Sequence, residues 1–431
     1  MKAAFYTLGC KVNQYESEYL SQLLSNAGFE IVPPDEAADY YIINSCTVTA
    51  TADQKTRQNI RKFRRRHPDS VIILTGCMPQ AFPKQAEKLI EADIVLSNQN
   101  NDDILSLINQ YNTQKNRIFA VNKHEKGEAF AKCAIHHFDK RIRAFVKIED
   151  GCDRFCSYCI IPMSRGRVRS KSIEDLEKEI KMLGENGIKE VVLVGINLSS
   201  YGKGEDFNLV DAVKLCEKDE NIQRVRLGSL EPDHMTDEVI QGLAECKKFC
   251  PQFHISLQSG CDKTLKNMNR HYDSAEYEQL CSKLRSAFED TTLTTDVMVG
   301  FTDESEADFM DSLKFVKKIG FEKVHVFPYS QREGTVASKK GDTVGKAEKA
   351  RRASVMIEET QKIRERYFHS LVGQSVCVLF ENEIAETVYQ GYTKNYVPVR
   401  VKSRSDIVGR ELAVKITSAD TAQDCCFAEL I

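Results

Sequence analysis

The chain has 431 residues, of which 42% are hydrophobic and 29% charged, so it is long enough for about two to four domains with sizeable cores. It has no apolar run of about 18 residues, and its first residues lack the features of a secretory signal, so we expect neither a membrane helix nor export. In the reducing cytosol that this indicates, the 15 cysteines are expected to serve metal binding or catalysis rather than disulfides. The net charge of −3 excludes a general polycation, so contact with nucleic acid requires local basic patches.

The first third of the chain alternates short apolar runs with segments of helical periodicity. Strands are predicted over 2–8, 39–44, 71–75 and 94–96, and helices over 16–27, 51–66, 83–91 and 102–111. Strands that alternate with helices predict parallel βαβ units and an open α/β sheet. We therefore predict an N-terminal α/β domain over 1–113, followed by a linker over 114–140 that holds a small strand or two. Cys133, His136 and His137 in this linker are interpreted as solvated side chains rather than as a metal site.

Three of the predicted strands end in a cysteine, namely Cys10, Cys46 and Cys77. The carboxyl ends of parallel strands meet at one edge of a sheet, where functional groups collect. The three thiols are therefore expected to form one site that is one ligand short of closure. The alternative is three separate buried cysteines, because free cysteine is among the most buried residue types.

A second set of three cysteines follows the apolar strand predicted over 143–148. Cys152, Cys156 and Cys159 have C-x3-C-x2-C spacing in a polar loop that begins with Gly151. Thiolates are soft ligands that suit zinc or iron–sulfur clusters. Three of them would leave one iron of a four-iron cluster free for chemistry, whereas a zinc knuckle would need a fourth ligand from elsewhere.

The remainder of the chain predicts two further domains. Residues 141–368 contain six strand–helix units, with strands over 143–148, 190–194, 224–228, 252–257, 292–299 and 323–327. Six units are too few for a complete eight-stranded barrel, so we predict a partial, open-sided barrel. Residues 370–431 contain short valine-rich strands over 375–381, 386–391, 396–402 and 411–416, which predict a small all-β barrel.

The two cysteine sets, in this order and on these elements, resemble the radical S-adenosylmethionine (SAM) methylthiotransferases. The resemblance covers nearly the whole chain, and the last 60 or so residues resemble the TRAM domain, an OB-like RNA-binding module. The stretch Thr-Leu-Gly-Cys-Lys-Val-Asn at residues 7–13 most resembles the bacterial tRNA threonylcarbamoyladenosine enzymes. The fold class implied is α/β: an open parallel N-terminal sheet, a partial (β/α)6 radical SAM barrel and a TRAM barrel.

The resemblance also implies a reaction and its cofactors. Cys152, Cys156 and Cys159 would hold a [4Fe–4S] cluster that cleaves SAM to a radical, and the radical would remove hydrogen from C2 of adenosine 37 in the anticodon loop. Cys10, Cys46 and Cys77 would hold an auxiliary [4Fe–4S] cluster that carries the sulfur as a methylated sulfide, the methyl group coming from a second SAM by ordinary displacement. N6-threonylcarbamoyladenosine would become its 2-methylthio derivative. C2 of adenine is neither nucleophilic nor acidic, so polar catalysis has little effect there and a radical is needed.

Loops at the strand ends are assigned to SAM by the same resemblance. Arginine's planar fork suits a carboxylate, so Arg270 is expected to pair with the carboxylate of SAM. For each such residue the alternative is ordinary structure at the barrel rim. The candidate SAM-binding residues are Tyr158, Gly195, Asn197, Gly228, Ser229, Glu231, Pro232, Arg270 and Asp296.

Basic residues near the cysteine loop and in the C-terminal domain are candidates for RNA contacts, which need cationic groups at phosphates. They are Arg165, Arg167, Arg169, Lys394, Arg400 and Lys402. The alternative for such charge runs is a solvated surface. The partners implied are tRNA, an electron donor such as flavodoxin or ferredoxin, and proteins that assemble clusters and deliver sulfur, all in the cytoplasm and without a membrane.

Three other functions remain open from the sequence. Two lie within the family: methylthiolation of N6-isopentenyladenosine 37, or of a ribosomal-protein aspartate. The third is a zinc-containing RNA-binding protein without catalysis. Glycine-containing loops at barrel strand ends, such as 228–232 and 296–301, favour an enzyme over this third alternative.

Overall fold

The computed structural model describes residues 1–131, 133–135 and 141–431. Part of the predicted linker, including His136 and His137, lies outside the described residues. Cys133, in contrast to the prediction for the linker, is buried among hydrophobic side chains of the central domain. Among the described residues, none of the helices combines the length and apolar character that crossing a membrane requires.

The N-terminal domain is a six-stranded parallel sheet in the order β2-β1-β3-β4-β5-β6. Alternate residues of its strands enter two apolar cores, one beneath α1 and α5 and the other beneath α2, α3 and α4. Its strands are β1 (Lys2–Thr7), β2 (Glu30–Val32), β3 (Tyr40–Ser45), β4 (Val71–Gly76), β5 (Ile94–Leu96) and β6 (Ile118–Ala120). Its helices are α1 (Lys11–Asn26), α2 (Ala50–Arg66), α3 (Cys77–Ala81), α4 (Pro83–Glu87), a 3₁₀ segment (Asn98–Asp103) and α5 (Ile104–Gln114).

Two features of this sheet differ from the prediction. The sheet continues through β6, beyond the predicted boundary at residue 113. The prediction also omitted β2, because a three-residue strand is too short to display an alternating pattern.

The central domain is an open arc of parallel strands. Its principal strands run in the order β7-β10-β11 and then β12-β13-β14-β15, with Gly228 alone separating β11 from β12. The strands are β7 (Arg143–Lys147), β8 (Glu149–Asp150), β9 (Arg169–Ser170), β10 (Glu190–Val194), β11 (Arg224–Leu227), β12 (Ser229–Leu230), β13 (Gln252–Ile255), β14 (Thr292–Val299) and β15 (Lys323–Pro328). This arc confirms the predicted six-unit, open-sided barrel.

Helices cover the outer face of the arc. Ser172 caps α7, accepting a hydrogen bond from the backbone nitrogen of Asp175 at 3.1 Å. The helices are α6 (Ile161–Arg165), α7 (Ile173–Glu185), α8 (Leu209–Lys218), α9 (Asp237–Ala244), α10 (Asp262–Asn267), α11 (Ser274–Ala287), α12 (Glu306–Ile319) and α13 (Lys346–Ser370), with 3₁₀ segments at Leu198–Ser200, Pro232–His234 and Ala337–Lys340.

The C-terminal domain is a closed five-stranded barrel in the order β16-β17-β18-β20-β19. Its strands are β16 (Ser375–Ala385), β17 (Val388–Thr393), β18 (Pro398–Lys402), β19 (Glu411–Asp420) and β20 (Cys425–Leu430). Four strands were predicted, and the structure adds β20, which closes the barrel by pairing with both β18 and β19. Closure removes the exposed edges of the sheet.

Two buried arginines attach this barrel to the N-terminal ends of the central strands. Arg224 donates to the carbonyl oxygen of Tyr392 at 2.7 Å, and Arg226 donates to that of Lys394 at 2.9 Å. The carboxylate of Glu190 compensates the charge of Arg226 at 3.0 Å. The C-terminal barrel therefore forms a floor beneath the open central barrel.

Candidate active site

The loop after β8 brings the three cysteines of the C-x3-C-x2-C motif together. Gly151 has φ +88°, and a Cβ there would lie 2.0 Å from the carbonyl oxygen of Arg167, so only glycine fits this turn. The pKa of Cys152 is raised to about 12, chiefly by burial, with a smaller contribution from Cys156 and an opposing backbone hydrogen bond from Arg154. Burial also raises the pKa of Cys159, with further contributions from Cys156 and Cys152. The three thiols thus lie within electrostatic reach of one another.

Arg270 points its fork at this cysteine loop. Its Nη1 donates to Cys156 Sγ at 3.2 Å, its Nη2 to Glu231 at 2.5 Å and its Nε to the hydroxyl of Tyr272 at 2.9 Å. The sequence assigned Arg270 and Glu231 to the SAM site; the structure pairs them with each other, and Arg270 also contacts Cys156. A guanidinium at this position stabilises a thiolate and any carboxylate bound next to it.

The other candidate SAM residues lie on the neighbouring strand ends. Gly195, Gly228, Ser229 and Asp296 line one large cavity. Tyr158 contacts Phe301 edge to face at a centroid distance of 6.2 Å, Asn197 follows β10, and Pro232 is buried at the start of a 3₁₀ turn.

Glu149 is a buried residue at this rim that the sequence reasoning missed. Its Oε2 accepts a hydrogen bond from the backbone nitrogen of Asn197 at 2.7 Å, and a Cβ on Gly195 would lie 2.6 Å from the same oxygen. Burial raises the pKa of Glu149 well above its usual value, although the Asn197 hydrogen bond opposes that rise. Glycine at 195 is therefore required by the packing of this carboxyl group.

Cys10, Cys46 and Cys77 meet at the carboxyl edge of the N-terminal sheet. Cys10 is the N-cap of α1, Cys46 follows β3, and Cys77 begins α3. Asn13 Oδ1 lies 3.5 Å from Cys10 Sγ and 4.0 Å from Cys77 Sγ. Burial raises the pKa of Cys77 to about 12, and the charges of Cys46 and Cys10 add to this effect while Arg165 opposes it. The prediction that the strand ends bring these three thiols together agrees with this placement.

Arg165 connects the two cysteine sites. It belongs to α6, which follows the Cys159 loop, and its Nε donates to Cys77 Sγ of the other domain at 3.3 Å. Its Nη2 donates to Asn13 Oδ1 at 2.8 Å and to Glu16 Oε2 at 2.9 Å. Arg165 is fully buried, with 0% of its surface exposed. The prediction that Arg165 contacts RNA is therefore wrong, because its guanidinium is already occupied by a carboxylate and a thiol inside the protein.

Glu16, another residue missed from the sequence, balances this charge. Lys147 Nζ donates to Glu16 Oε1 at 2.8 Å and to Asp150 Oδ2 at 2.7 Å. Burial acts to raise the pKa of Glu16, but the charges of Arg165 and Lys147 outweigh it and hold the pKa below its usual value. The junction between the two domains is thus a buried network of alternating charges.

The donor chemistry of both sites suits clusters better than a single ion. Within the described ranges, no three histidine, cysteine, aspartate or glutamate side chains are arranged to hold one metal ion. A single tetrahedral zinc needs all its sulfurs at about 2.3 Å from one point. A cluster binds each thiolate to a different iron, so its ligands lie farther apart. Each set of three cysteines offers the soft thiolate donors that an iron–sulfur cluster needs.

A cavity of about 850 Å³ connects the three domains. The N-terminal domain contributes four lining residues, Gly9, Cys10, Lys11 and Val12. The central barrel supplies Gly195, Gly228 and the inward residues of β13 to β15, and the C-terminal domain supplies Tyr392, Tyr396, Pro398 and Arg400. The exposed thiol of Cys10 and the strand-end glycines thus face one space, large enough for a nucleoside.

One wall of this cavity is polar. His254 Nδ1 lies 3.0 Å from Thr294 Oγ1, and His254 Nε2 lies 3.4 Å from Asp296 Oδ2. The ring of His325 packs beside that of His254 at 5.8 Å, and burial lowers the pKa of His325. Neither histidine is among the candidate residues named from the sequence. Their shared cavity emerges only when β13, β14 and β15 pair.

The remaining basic candidates near the cysteine loop differ in exposure. The side chain of Arg167 is 63% exposed and lies over the ring of Phe155 at 4.7 Å. Arg169 is largely buried and pairs with Glu128 at 3.2 Å and Asp150 at 3.4 Å. Arg167 also pairs with Asp153 at 3.2 Å. Because an ion pair at so exposed a side chain is weak, Arg167 can reach a phosphate, whereas Arg169 is held in largely buried ion pairs.

The three C-terminal candidates for RNA contact also differ in what surrounds them. Lys394 Nζ donates to the carbonyl oxygen of Lys247 in the central domain at 3.2 Å, and Arg400 lines the cavity and donates to Gln390 at 2.9 Å. Lys402 is exposed at the end of β18. Lys394 therefore serves the junction between domains, and Arg400 faces the cavity rather than open surface.

Comparison with known proteins agrees with this arrangement. Residues 2–97 match the model described as Uncharacterized protein family UPF0004, and residues 146–316 match the Radical SAM superfamily. The threonylcarbamoyladenosine tRNA methylthiotransferase MtaB of Bacillus subtilis is 37% identical over 96% of this chain and 94% of its own length. This chain belongs to the radical SAM tRNA methylthiotransferase family. Membership implies an enzyme that uses SAM and a [4Fe–4S] cluster.

Two further relatives of this family differ in the substrate that their names give. MtaB of Thermotoga maritima is 37% identical over 93% of this chain and 94% of its own length. The tRNA-2-methylthio-N(6)-dimethylallyladenosine synthase of Clostridium novyi is 35% identical over 96% and 94%, respectively. These identities are too close to decide between the two substrates.

Solved structures support the fold alone. The radical SAM methyltransferase TsrM from Kitasatospora setae covers 76% of this chain and 74% of its own, with a TM-score of 0.55 and 12% identity. The cobalamin-dependent radical enzyme OxsB covers 84% of this chain and 61% of its own, with a TM-score of 0.53 and 13% identity.

Proposed function

We propose that this enzyme adds a methylthio group to C2 of N6-threonylcarbamoyladenosine at position 37 of tRNA. The observation that carries the proposal is the cavity shared by Cys10, the SAM-site glycines and the polar wall around His254. An isopentenyl substituent would need an apolar lining, whereas a threonylcarbamoyl group offers amide, hydroxyl and carboxylate groups for hydrogen bonds. The names of the MtaB relatives agree with this choice.

The chain's residues have distinct roles in this proposal. Cys152, Cys156 and Cys159 hold one cluster and Cys10, Cys46 and Cys77 the other. When bound, the first cluster supplies one-electron cleavage of SAM and the second supplies sulfur. Arg270 and Glu231 orient the SAM carboxylate and amino group beside Cys156; the hydrogen bonds from Arg270 to Cys156 Sγ and to Glu231 support these roles.

Other groups position the substrate and exclude water. The C-terminal barrel closes the lower end of the cavity through Arg224 and Arg226, so the reacting base is enclosed on three sides. Arg167 and Lys402 lie on the surface and contact phosphates, so that the anticodon loop can present a splayed base to the cavity. The reaction takes place in the cytoplasm, a reducing compartment that suits a protein with many free cysteines, and there a flavodoxin or ferredoxin supplies electrons and separate proteins supply clusters and sulfur.

The first test counts iron and sulfide in anaerobically reconstituted protein. The wild type should hold about eight irons per chain, and each triple cysteine-to-alanine variant, at 152/156/159 or at 10/46/77, should hold about four. The exposed Cys377 provides a matched control, since Cys377→Ala should leave about eight. A wild type with about four irons that vanish from the 152/156/159 variant would contradict the auxiliary cluster, and a colourless zinc protein would contradict catalysis.

The second test identifies the product. Nucleosides of tRNA from a deletion strain, with and without the restored gene, are analysed by mass spectrometry. Gene-dependent 2-methylthio-N6-threonylcarbamoyladenosine supports the proposal. Gene-dependent 2-methylthio-N6-isopentenyladenosine would replace the substrate, and unchanged tRNA together with a methylthiolated ribosomal-protein aspartate would remove tRNA from the reaction.

A further inference from the structure

Lys11 occupies a distinctive place in the cavity. It is the first residue of α1, directly after Cys10, and both residues line the cavity. Its Nζ lies 5.8 Å from the ring centroid of Phe145, an inward-facing residue of β7. Val12 packs with Phe145, Val192 and Val194, which holds the start of α1 in the open side of the barrel. The Lys11 side chain is thus exposed to the cavity while protein surrounds that cavity.

The ammonium of Lys11 differs from the other cations that line the cavity. Lys323 and Arg364 both donate to Asp424, at 2.9 Å and 2.5 Å, and Arg400 donates to two glutamine side chains. Among the cavity-lining residues that the structure describes, Lys11 is the ammonium or guanidinium that has neither a hydrogen bond nor an ion pair. An enclosed charge without a partner is unfavourable, so this position is suited to a ligand that brings a negative charge.

We propose that Lys11 recognises the carboxylate of the substrate's N6 substituent and so determines the substrate. This inference rests on the proposed function, because it takes threonylcarbamoyladenosine as the base in the cavity. In adenine, C2 and C6 both adjoin N1, so a group on N6 lies on the same side of the ring as the carbon that receives sulfur. A residue that binds the N6 group must therefore lie beside the sulfur-donating site. Lys11 meets this condition, because it directly follows Cys10 in the sequence.

The same ammonium disfavours the rival nucleoside. An isopentenyl group entering this space would remove water from Lys11 and provide no acceptor in return. Specificity of this kind combines attraction for one ligand with a desolvation penalty for the other. Sites built to bind a polar group discriminate strongly against analogues that lack it, because their own polar groups are left unpaired.

The test uses the reconstituted holoenzyme and two anticodon stem-loop RNAs that differ in one group. One carries N6-threonylcarbamoyladenosine at position 37, and the other carries its neutral primary carboxamide in place of the carboxylate. We measure the Kd of each RNA without SAM and the rate of methylthiolation in single turnover. The wild type should bind the acid about 10- to 100-fold more tightly than the amide, as expected for one charge-assisted hydrogen bond.

Variants assign this preference to one side chain. Lys11→Gln should reduce the ratio of acid to amide affinity to about one, and Lys11→Arg should restore most of it. Lys323→Gln, which removes a paired cation from the same cavity, should leave the ratio unchanged. Iron content and the 5′-deoxyadenosine formed from SAM confirm that both clusters remain in the Lys11 variants.

Three outcomes would contradict the role of Lys11 or the proposed function. Equal binding of acid and amide by the wild type overturns the role of Lys11, whatever the variants do. Loss of affinity for both RNAs alike in Lys11→Gln also overturns it, since that result indicates a phosphate contact or a structural effect. A wild type that modifies an isopentenyladenosine stem-loop but not the threonylcarbamoyladenosine one refutes the proposed function itself, a result distinct from either failure of Lys11.

Discussion

Replacing Arg165 by methionine tests whether the junction between the N-terminal and central domains depends on a buried ion pair. Arg165 is fully buried and donates to Cys77, Asn13 and Glu16. Methionine has a similar length without charge, so Arg165→Met leaves the Glu16 carboxylate buried with Lys147 as its remaining cation. Removing one partner of a buried pair costs about 3–5 kcal/mol when the other charge is left uncompensated. Because Lys147 still compensates part of the Glu16 charge, we expect a cost toward the lower end of this range.

A double-mutant cycle isolates the interaction energy between Arg165 and Glu16. Glu16→Gln alone should also destabilise the protein, whereas Glu16→Gln/Arg165→Met should cost less than the sum of the two single variants, because neither charge is then left alone. The free energy of unfolding is obtained from urea denaturation followed by far-ultraviolet circular dichroism. Arg167→Met is the matched control: its side chain is 63% exposed, and we expect a change within about 0.5 kcal/mol.

The two variants should have the opposite effects on RNA affinity: Arg167→Met should lower it, and Arg165→Met should not. Arg167→Met should weaken binding of tRNA and reduce its salt dependence, as the loss of one phosphate contact does. Arg165→Met should affect stability and iron content instead. The reasoning is refuted if Arg165→Met costs less than about 1 kcal/mol, or if the double variant is additive within about 0.5 kcal/mol.

Two further predictions concern a glycine and a carboxyl group. Gly151→Ala should lower iron from about eight to about four per chain, because a Cβ would lie 2.0 Å from the carbonyl oxygen of Arg167. The control Gly127→Ala, at a similar φ but with nothing within 4 Å of the added Cβ, should retain about eight irons. Equal iron content in the two variants would contradict this prediction. Burial raises the pKa of Glu381 to about 6, although Arg143 opposes the rise. A raised carboxyl pKa means that stability is fully present below the unfolded value of about 4.5 and falls as pH rises through 6, so Glu381→Gln should stabilise the protein by about 2 kcal/mol at pH 7.5 and by little at pH 4.5. Urea denaturation at the two pH values measures the difference, and a gain at pH 4.5 as large as that at pH 7.5 would refute it.

The sequence by itself determined the local framework. The spacing of Cys152, Cys156 and Cys159 marks one site, and the position of Cys10, Cys46 and Cys77 after three strands places a second at one sheet edge. These inferences depend only on periodicity within single strands and helices and on the general rule that parallel strands align their carboxyl ends.

The sequence could not predict which residues from distant segments contact each other. Arg165 and Glu16 are 149 positions apart, and nothing local distinguishes Arg165 from the exposed Arg167 two residues later. Likewise, Tyr396 has the character of an RNA-stacking residue, yet Arg226 of the central barrel lies over its ring at 4.5 Å. A charged or aromatic side chain binds whichever complementary group is nearest, and the packing of whole domains decides which group that is.

The cavity is the clearest product of tertiary structure. Lys11, His254 and Arg400 come from three different domains, and their common space exists only once the N-terminal helix enters the open side of the barrel and the C-terminal barrel closes its floor. The sequence determined which chemistry the chain can carry out, because ligand types and their local spacing are written along it. Tertiary structure decided which charges are paired and which remain available to a substrate, because burial and ion pairing depend on segments that meet only after folding.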